Sequence, residues 1–427
     1  MSSMTLPGPE TITRCVLANG TVVLARENFT SPAVVIRGLV RAGSVDEAAE
    51  KAGLAAFTAA MLMRGTETRA FHEINETIES VGASLGFHGG LHTTRFGAKC
   101  LAEDLPLIGD VLADVLQHPV FPAPEVEKVR GEFITGLQQR DENTRAMADL
   151  TFRAMAYPNG HPYGRSDDGY QETIRSISQD DLATFYARTY RPADLIVAVV
   201  GAIKADQAVE LVERMLGRWQ SLPPRPEQLI PQAPRLDSVR RKSVPMAGKT
   251  QSDIVLGCPG IPRRHPDYFA ANLANLVLGG FGMMGRLGDN VRDEQGLAYY
   301  VYSRLEAGLG AGPWMAVAGV NPKNADQAID SILAEIQRLR DSLVEPQELS
   351  DSKAYLTGSL PLRLETNEGV AGVMLEMELH NLGLDYLQRY PALIEAVTPE
   401  EVQAAARKYL NPEAYALAIA GPSALER

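Results

Sequence analysis

Short apolar runs and longer stretches of helical period divide this chain into recognisable elements. Thr21–Ala25 and Ala33–Arg41 read as strands, rich in Val, Ile and Leu. A helix is expected near Ala48–Met63, and long helical patterns cover Pro124–Ala156, Asp326–Leu339 and Glu365–Leu382. Strand character returns over 251–258, 297–306 and 313–320. The strands come as adjacent pairs and do not alternate one-for-one with helices. That order favours an α+β architecture, a mostly antiparallel sheet covered by helices, over a doubly wound parallel sheet.

The pattern repeats at an offset of 220 residues without a gap. Asp180-Asp181 matches Glu400-Glu401, Leu182 matches Val402, and Arg188 matches Lys408. Pro192 matches Pro412, Val197 and Val199 match Leu417 and Ile419, and Gly201 matches Gly421. Each copy reads as an acid-rich helix start, with Ser178 or Thr398 as N-cap, then a basic helix end, then an apolar strand closed by glycine. Between the copies, Pro223, Pro224, Pro226, Pro231 and Pro234 crowd one segment. Proline removes backbone donors and stiffens the chain, so this segment is expected to be a linker. The expected organisation is two α/β modules related by duplication, 1–218 and 239–427, joined by a Pro-rich linker at 219–238.

Composition adds limits. With 427 residues, 45% of them apolar, each half is long enough to bury a core without disulfides or a structural metal. A net charge of −12 disfavours binding to a phosphate backbone, which needs a basic stripe. Cys15, Cys100 and Cys258 are far apart and odd in number, so they read as thiols and not as a disulfide framework. No uninterrupted apolar stretch of about 18 residues is present to span a membrane. The first residues, MSSMTLPGPE, lack the basic and apolar regions of a signal peptide. The expectation is a soluble, cytoplasmic protein, or a periplasmic one if a signal has been removed.

Candidate chemistry is sparse. Of seven histidines only His88 and His92 lie close together, and their spacing would suit a zinc pair on a helix. The intervening glycines argue against a helix, and in a strand the two side chains would stand about 13 Å apart. No GxSxG elbow is present, and no cysteine has a catalytic context. The run Gly279-Gly280-Phe281-Gly282-Met283-Met284-Gly285 lacks the ending of a phosphate loop and follows a helix-like segment, so a flexible or close-approach loop is expected.

Three segments together resemble the pitrilysin / mitochondrial processing peptidase family of zinc peptidases. Gly53-Leu54-Ala55-Ala56-Phe57-Thr58-Ala59-Ala60-Met61-Leu62-Met63-Arg64-Gly65-Thr66 is similar to that family's GLAHFLEHMLFKGT. His161-Pro162-Tyr163-Gly164-Arg165 follows, and then Arg292-Asp293-Glu294-Gln295-Gly296-Leu297-Ala298-Tyr299 resembles its RxxxGLAY. The family's inverted motif, HxxEH, carries two zinc ligands and a general base on one helix face. Those positions here read Ala56, Ala59 and Ala60, and the further glutamate ligand, roughly 76 residues on, falls at Gly136. The alanines would equally form a small-residue packing face. On the substrate-binding strand the family often shows Asn-Ala, where this chain has Gly86-Phe87.

The resemblance implies one half of a peptidase clam-shell. It implies that Arg292 and Tyr299 hold a substrate carbonyl as negative charge develops on it. It implies that Gly279, Gly280, Gly282 and Gly285 line the way for an extended peptide. The expectation is a zinc-free subunit, inactive alone, with no cofactor of its own. A homologous partner would supply HxxEH and zinc, and the pair would cleave unfolded peptides bound by strand addition. The alternatives are a non-enzymatic scaffolding homologue of the same fold, and an independent enzyme with a different metal site at His88 and His92.

Overall fold

The computed structural model describes residues 6–220, 230–282 and 284–422. Among the described residues, eleven strands form two mixed sheets. The first contains β1 (Thr13–Val16), β2 (Val22–Glu27), β3 (Ala33–Val40), β4 (Ser84–Gly89), β5 (Thr94–Leu101) and β6 (Leu195–Gly201), in the order β1-β2-β6-β3-β5-β4. The second contains β7 (Arg240–Pro245), β8 (Ser252–Pro259), β9 (Ala298–Ala307), β10 (Ala311–Val320) and β11 (Ala416–Gly421), in the order β7-β11-β8-β10-β9. With β1 set aside, the two orders are the same path. Only β2/β6 and β7/β11 pair in parallel; the remaining neighbours are antiparallel. The helix-covered, mostly antiparallel sheets and their duplication follow the expected architecture.

The repeated sequence unit explains the match in detail. Ser178 caps the helix Gln179–Thr189 through the Asp181 amide, and Thr398 caps Pro399–Tyr409 through the Glu401 amide. Each acidic side chain returns a bond to its cap residue, so two orphan donors are satisfied at each helix start. Each helix leads to an interior strand of its sheet, β6 or β11. Gly201 and Gly421 end those strands where a side chain would strike the start of β3 or the residues opening β8.

The compact units do not follow chain order. Among the described residues, one unit holds 6–135, 166–220 and 359–390, and the other holds 136–165, 230–358 and 391–422. The cause is a pair of exchanged helices. Asn367–Leu379, from the second repeat, packs on β3 and β6 of the first sheet. Thr144–Ala156, from the first repeat, packs on β8 and β11 of the second. The helical pattern expected over Pro124–Ala156 is accordingly two helices, Ala123–Asp141 and Thr144–Ala156. Asn143 breaks it, because its side chain accepts the Ala146 amide as an N-cap. Of the expected linker, residues 221–229 lie outside the described residues. Residues 230–238 carry neither helix nor strand, and His161 Nε2 meets the Pro231 carbonyl at 3.2 Å.

In the first unit the docked helix carries a row of ion pairs. Lys99 meets Glu368, Arg95 meets Glu376, and Arg14 meets Glu378, at 2.6–2.8 Å. Glu376 also engages His380 Nε2 at 3.2 Å, and His380 neighbours His92. Burial opposes the charged form of Glu376, yet the His380 bond and the Arg95 guanidinium outweigh it and hold the carboxyl at about 2. Burial, reinforced by His380, pulls His92 down to about 4.

Both shifts make folding depend on pH in the same direction. Between pH 6.5 and 4 the unfolded chain protonates His92 while the folded chain does not, so stability falls as pH falls. Between pH 4.5 and 2 the same holds for Glu376. Each group contributes a slope of up to about 1.4 kcal/mol per pH unit. Amide exchange in Asn367–Leu379 is therefore expected to accelerate from pH 6.5 downward once corrected for intrinsic rates, and His92→Gln should flatten the first part of that profile. An unchanged profile in His92→Gln would exclude His92 as its source.

Candidate functional site

The site begins with the helix Leu54–Met61, shorter than the pattern over Ala48–Met63 predicts. Gly53, at φ 93°, turns the chain into it, and single turns flank it at Ala49–Lys51 and Leu62–Arg64. The buried Glu47 carboxylate accepts the Gly53 amide at 2.9 Å and the Ala55 amide at 2.8 Å, closing the helix N-terminus. Phe57 stacks on Phe133 at 5.3 Å. Ala56 and Ala59 are buried and Ala60 is partly exposed. Edge strand β4 closes over this helix: a Cβ on Gly89 would lie 2.7 Å from the Ala56 Cα. Gly136 lies in the helix Ala123–Asp141, within the other compact unit.

Zinc takes nitrogen, sulfur or oxygen donors. Ala56, Ala59, Ala60 and Gly136 offer no side-chain donor, and strand backbone presses against Ala56. The residues present do not fit a zinc ion at these positions. Among the described residues no group of three or more His, Cys, Asp or Glu could hold a metal. His88 is exposed on β4, whereas His92 lies in the β4–β5 turn beside His380.

Arg292 and Tyr299 both belong to the second unit. Arg292 sits near the end of the wide helical turn Gly288–Glu294, about one-third exposed, with Asp293 at 3.1 Å. Gly296, at φ 62°, then reverses the chain into β9. Tyr299 is the second residue of that edge strand. Tyr300 pairs with Gly319 and Ala298 with Val320, so Tyr299 is an extra residue with no partner across the ladder. This bulge takes Tyr299 out of the alternation and leaves it 61% exposed. The glycine run packs beside the same strand. A Cβ on Gly279 would lie 3.0 Å from the Ser303 amide, and Gly285, at φ 90°, folds back against Gly279. Gly280 abuts Asn275, Gly282 adopts φ 78°, and Met283 lies outside the described residues.

Sequence reasoning missed the group beneath Tyr299. Tyr300, Tyr302 and Arg304 share one face of β9, opposite Gly319, Val317 and Met315 of β10. The Tyr300 hydroxyl donates to the buried Asp253 carboxylate, which also accepts from Thr144 and Gln251. Burial, then the bond to Asp253, pushes the Tyr300 phenol well above its ordinary range, so it stays a donor. Arg145 lies over both rings, 5.1 Å from Tyr300 and 5.3 Å from Tyr302, and donates to the Tyr302 hydroxyl. An aspartate inside the apolar run Ser252–Pro259 was the available signal. Replacing Asp253 with Ala would leave buried donors unpaired and is expected to cost about 1–3 kcal/mol in urea unfolding. Tyr299→Phe, at an exposed hydroxyl, should stay within about 0.5 kcal/mol.

Family models match most of the chain. The model described as Insulinase (Peptidase family M16) covers residues 22–165, and that described as Peptidase M16 inactive domain covers 176–356. The chain is 30% identical to an uncharacterized zinc protease of Mycobacterium leprae, over 91% of this chain and 86% of that protein. It is 25% identical to the mitochondrial-processing peptidase subunit beta of Bos taurus, over 97% and 85% respectively. Among solved structures, a peptidase M16 inactive domain from Pseudomonas fluorescens superposes with a TM-score of 0.89 at 26% identity, covering 96% of this chain and 98% of that one. A protease from Helicobacter pylori, at 21% identity and a TM-score of 0.88, shares the fold. The chain thus belongs to the M16 family of metallopeptidases.

Proposed function

We propose that this chain is the zinc-free subunit of a heterodimeric zinc peptidase. A partner of the same fold carries HxxEH and zinc, and this chain contributes Arg292 and Tyr299 in trans. The observation that carries the reading is a contrast between two sets of positions. Where the family's ligands and base would stand, this chain has three alanines and a glycine; where its carbonyl-holding pair would stand, it has an arginine and a tyrosine, both partly open to solvent. A relative named as the beta subunit of a processing peptidase supports a subunit role.

In this reading the chain's own residues bind and orient. A guanidinium offers a planar fork of donors and a phenol offers one more, both able to point at the oxygen of a peptide carbonyl. Donors that strengthen as charge develops on that oxygen lower the barrier selectively. Gly279, Gly280, Gly282 and Gly285 leave a stretch of backbone without side chains, which suits close approach of an extended peptide. The substrate class is unfolded peptide.

Mixing the chain with a zinc-bearing homologue from the same source is expected to yield peptidase activity that neither has alone. Arg292→Ala in this chain should lower kcat/KM of the mixture by about 10²–10³-fold without weakening assembly. A partner fully active alone and indifferent to this chain would overturn the proposal. Assembly without rate enhancement, and without sensitivity to Arg292, would assign the chain a scaffolding role instead.

A further inference from the structure

Beside the Arg145–tyrosine group lies a cavity of about 560 Å³, wholly within the second unit. This is within the usual range for ligand pockets, about 300–1,000 Å³. Val255, Met315 and Val317 supply an apolar floor, and four arginines, Arg140, Arg145, Arg153 and Arg304, line it as well.

The close ionic contacts are not evenly shared. Arg140 pairs with Asp141 at 2.9 Å, Arg153 with Asp149 at 2.7 Å and with Glu306 at 2.9 Å, and Arg304 with Glu306 at 3.2 Å. Arg145 has no carboxylate in ion-pair contact among the described residues. Asp253 acts on Arg145 through space only, its hydrogen bonds coming from Tyr300, Thr144 and Gln251. Arg145 is nonetheless held in place: it lies over two aromatic rings, which themselves stack at 6.2 Å, and it donates to the Tyr302 hydroxyl. Stacking leaves the edge of a guanidinium free for a planar, two-oxygen acceptor. A cation fixed before binding loses little freedom when an anion arrives.

We infer that this cavity is a binding site for a peptide carboxylate, with Arg145 as the residue that takes it. The apolar floor suits the side chains next to that carboxylate, and the fork geometry of arginine suits a carboxylate in particular. The carboxylate comes either from a chain terminus or from an acidic side chain. The inference deepens the peptide-binding reading above, but it concerns this chain alone and requires neither a partner nor turnover.

The test uses fluorescence anisotropy on the full chain with an N-terminally labelled pentapeptide, Ala-Ala-Val-Ala-Leu, as free acid and as amide. The free acid is expected to bind about tenfold more tightly, as befits a hydrogen bond to a charged group. Arg145→Ala should remove the difference and Arg145→Lys should restore part of it, with circular dichroism melts verifying each fold. An amidated peptide ending in Glu separates the sources: affinity like the free acid assigns the site to side-chain carboxylates as well, and affinity like the plain amide assigns it to the chain terminus. Equal binding of acid and amide by the unsubstituted chain would overturn the inference. So would an unchanged preference in Arg145→Ala, or displacement by inorganic phosphate at the peptide's own concentration. Because no catalysis is read, these failures are distinct from failure of the trans site.

Discussion

Each sheet depends on a helix that the other repeat provides. Asn367–Leu379 buries Val370, Ala371, Met374, Leu375 and Met377, and it packs on the strands at the centre of the first sheet. Fully burying each large apolar side chain contributes about 1.5–3 kcal/mol, whereas the exposed pairs Lys99–Glu368 and Arg14–Glu378 add about 0–1 kcal/mol each. Thr144–Ala156 does the same for the second sheet, burying Ala148, Thr151, Phe152 and Ala156. Without either helix, a row of Val, Ile and Leu in a central strand would face water.

The exchange also places the chemistry. In the second unit the incoming helix brings Thr144 to Asp253 and Arg145 to the tyrosines of β9, so the polar face of that sheet is organised by residues from the first repeat. The two edge strands have diverged within a shared topology. In β4 the alternation is unbroken, and Gly89 lets it press onto the alanine helix. In β9 a bulge interrupts the ladder and turns one tyrosine of three outward. One copy of the module packs its edge strand onto an alanine-rich helix, and the other exposes an aromatic side chain where the ladder breaks.

Much of this was legible in the sequence. The repeat could be read because no residue was inserted between the helix cap at Ser178 or Thr398 and the strand that follows. Paired strands could be read from apolar runs, and the family from the Gly53–Thr66 and Arg292–Tyr299 segments. Which sheet a helix covers could not, because helical period reports that one face is apolar and says nothing of its partner. The bulge at Tyr299 was equally hidden, since it is a mismatch between two strands and a single strand does not display it. The start of the Leu54–Met61 helix moved inward because Gly53 turns the chain left-handed, a backbone requirement that overrides the apolar pattern before it. Asn143 was a visible stop within a long helical stretch, with its cap geometry written in the residue type.

The helix exchange also bears on how the molecule is made. Synthesis runs from the N-terminus, and domains usually fold as they emerge. Here the first sheet has all six strands once residue 201 has been translated, yet its covering helix begins only at Asn367. Throughout the interval the faces of β3 and β6 meant for that helix stay exposed on the nascent chain. The helix Thr144–Ala156, made early, must wait for β8 and β11 in turn. Neither module can reach its final packing on the ribosome before most of the other exists, and the two must finish folding together.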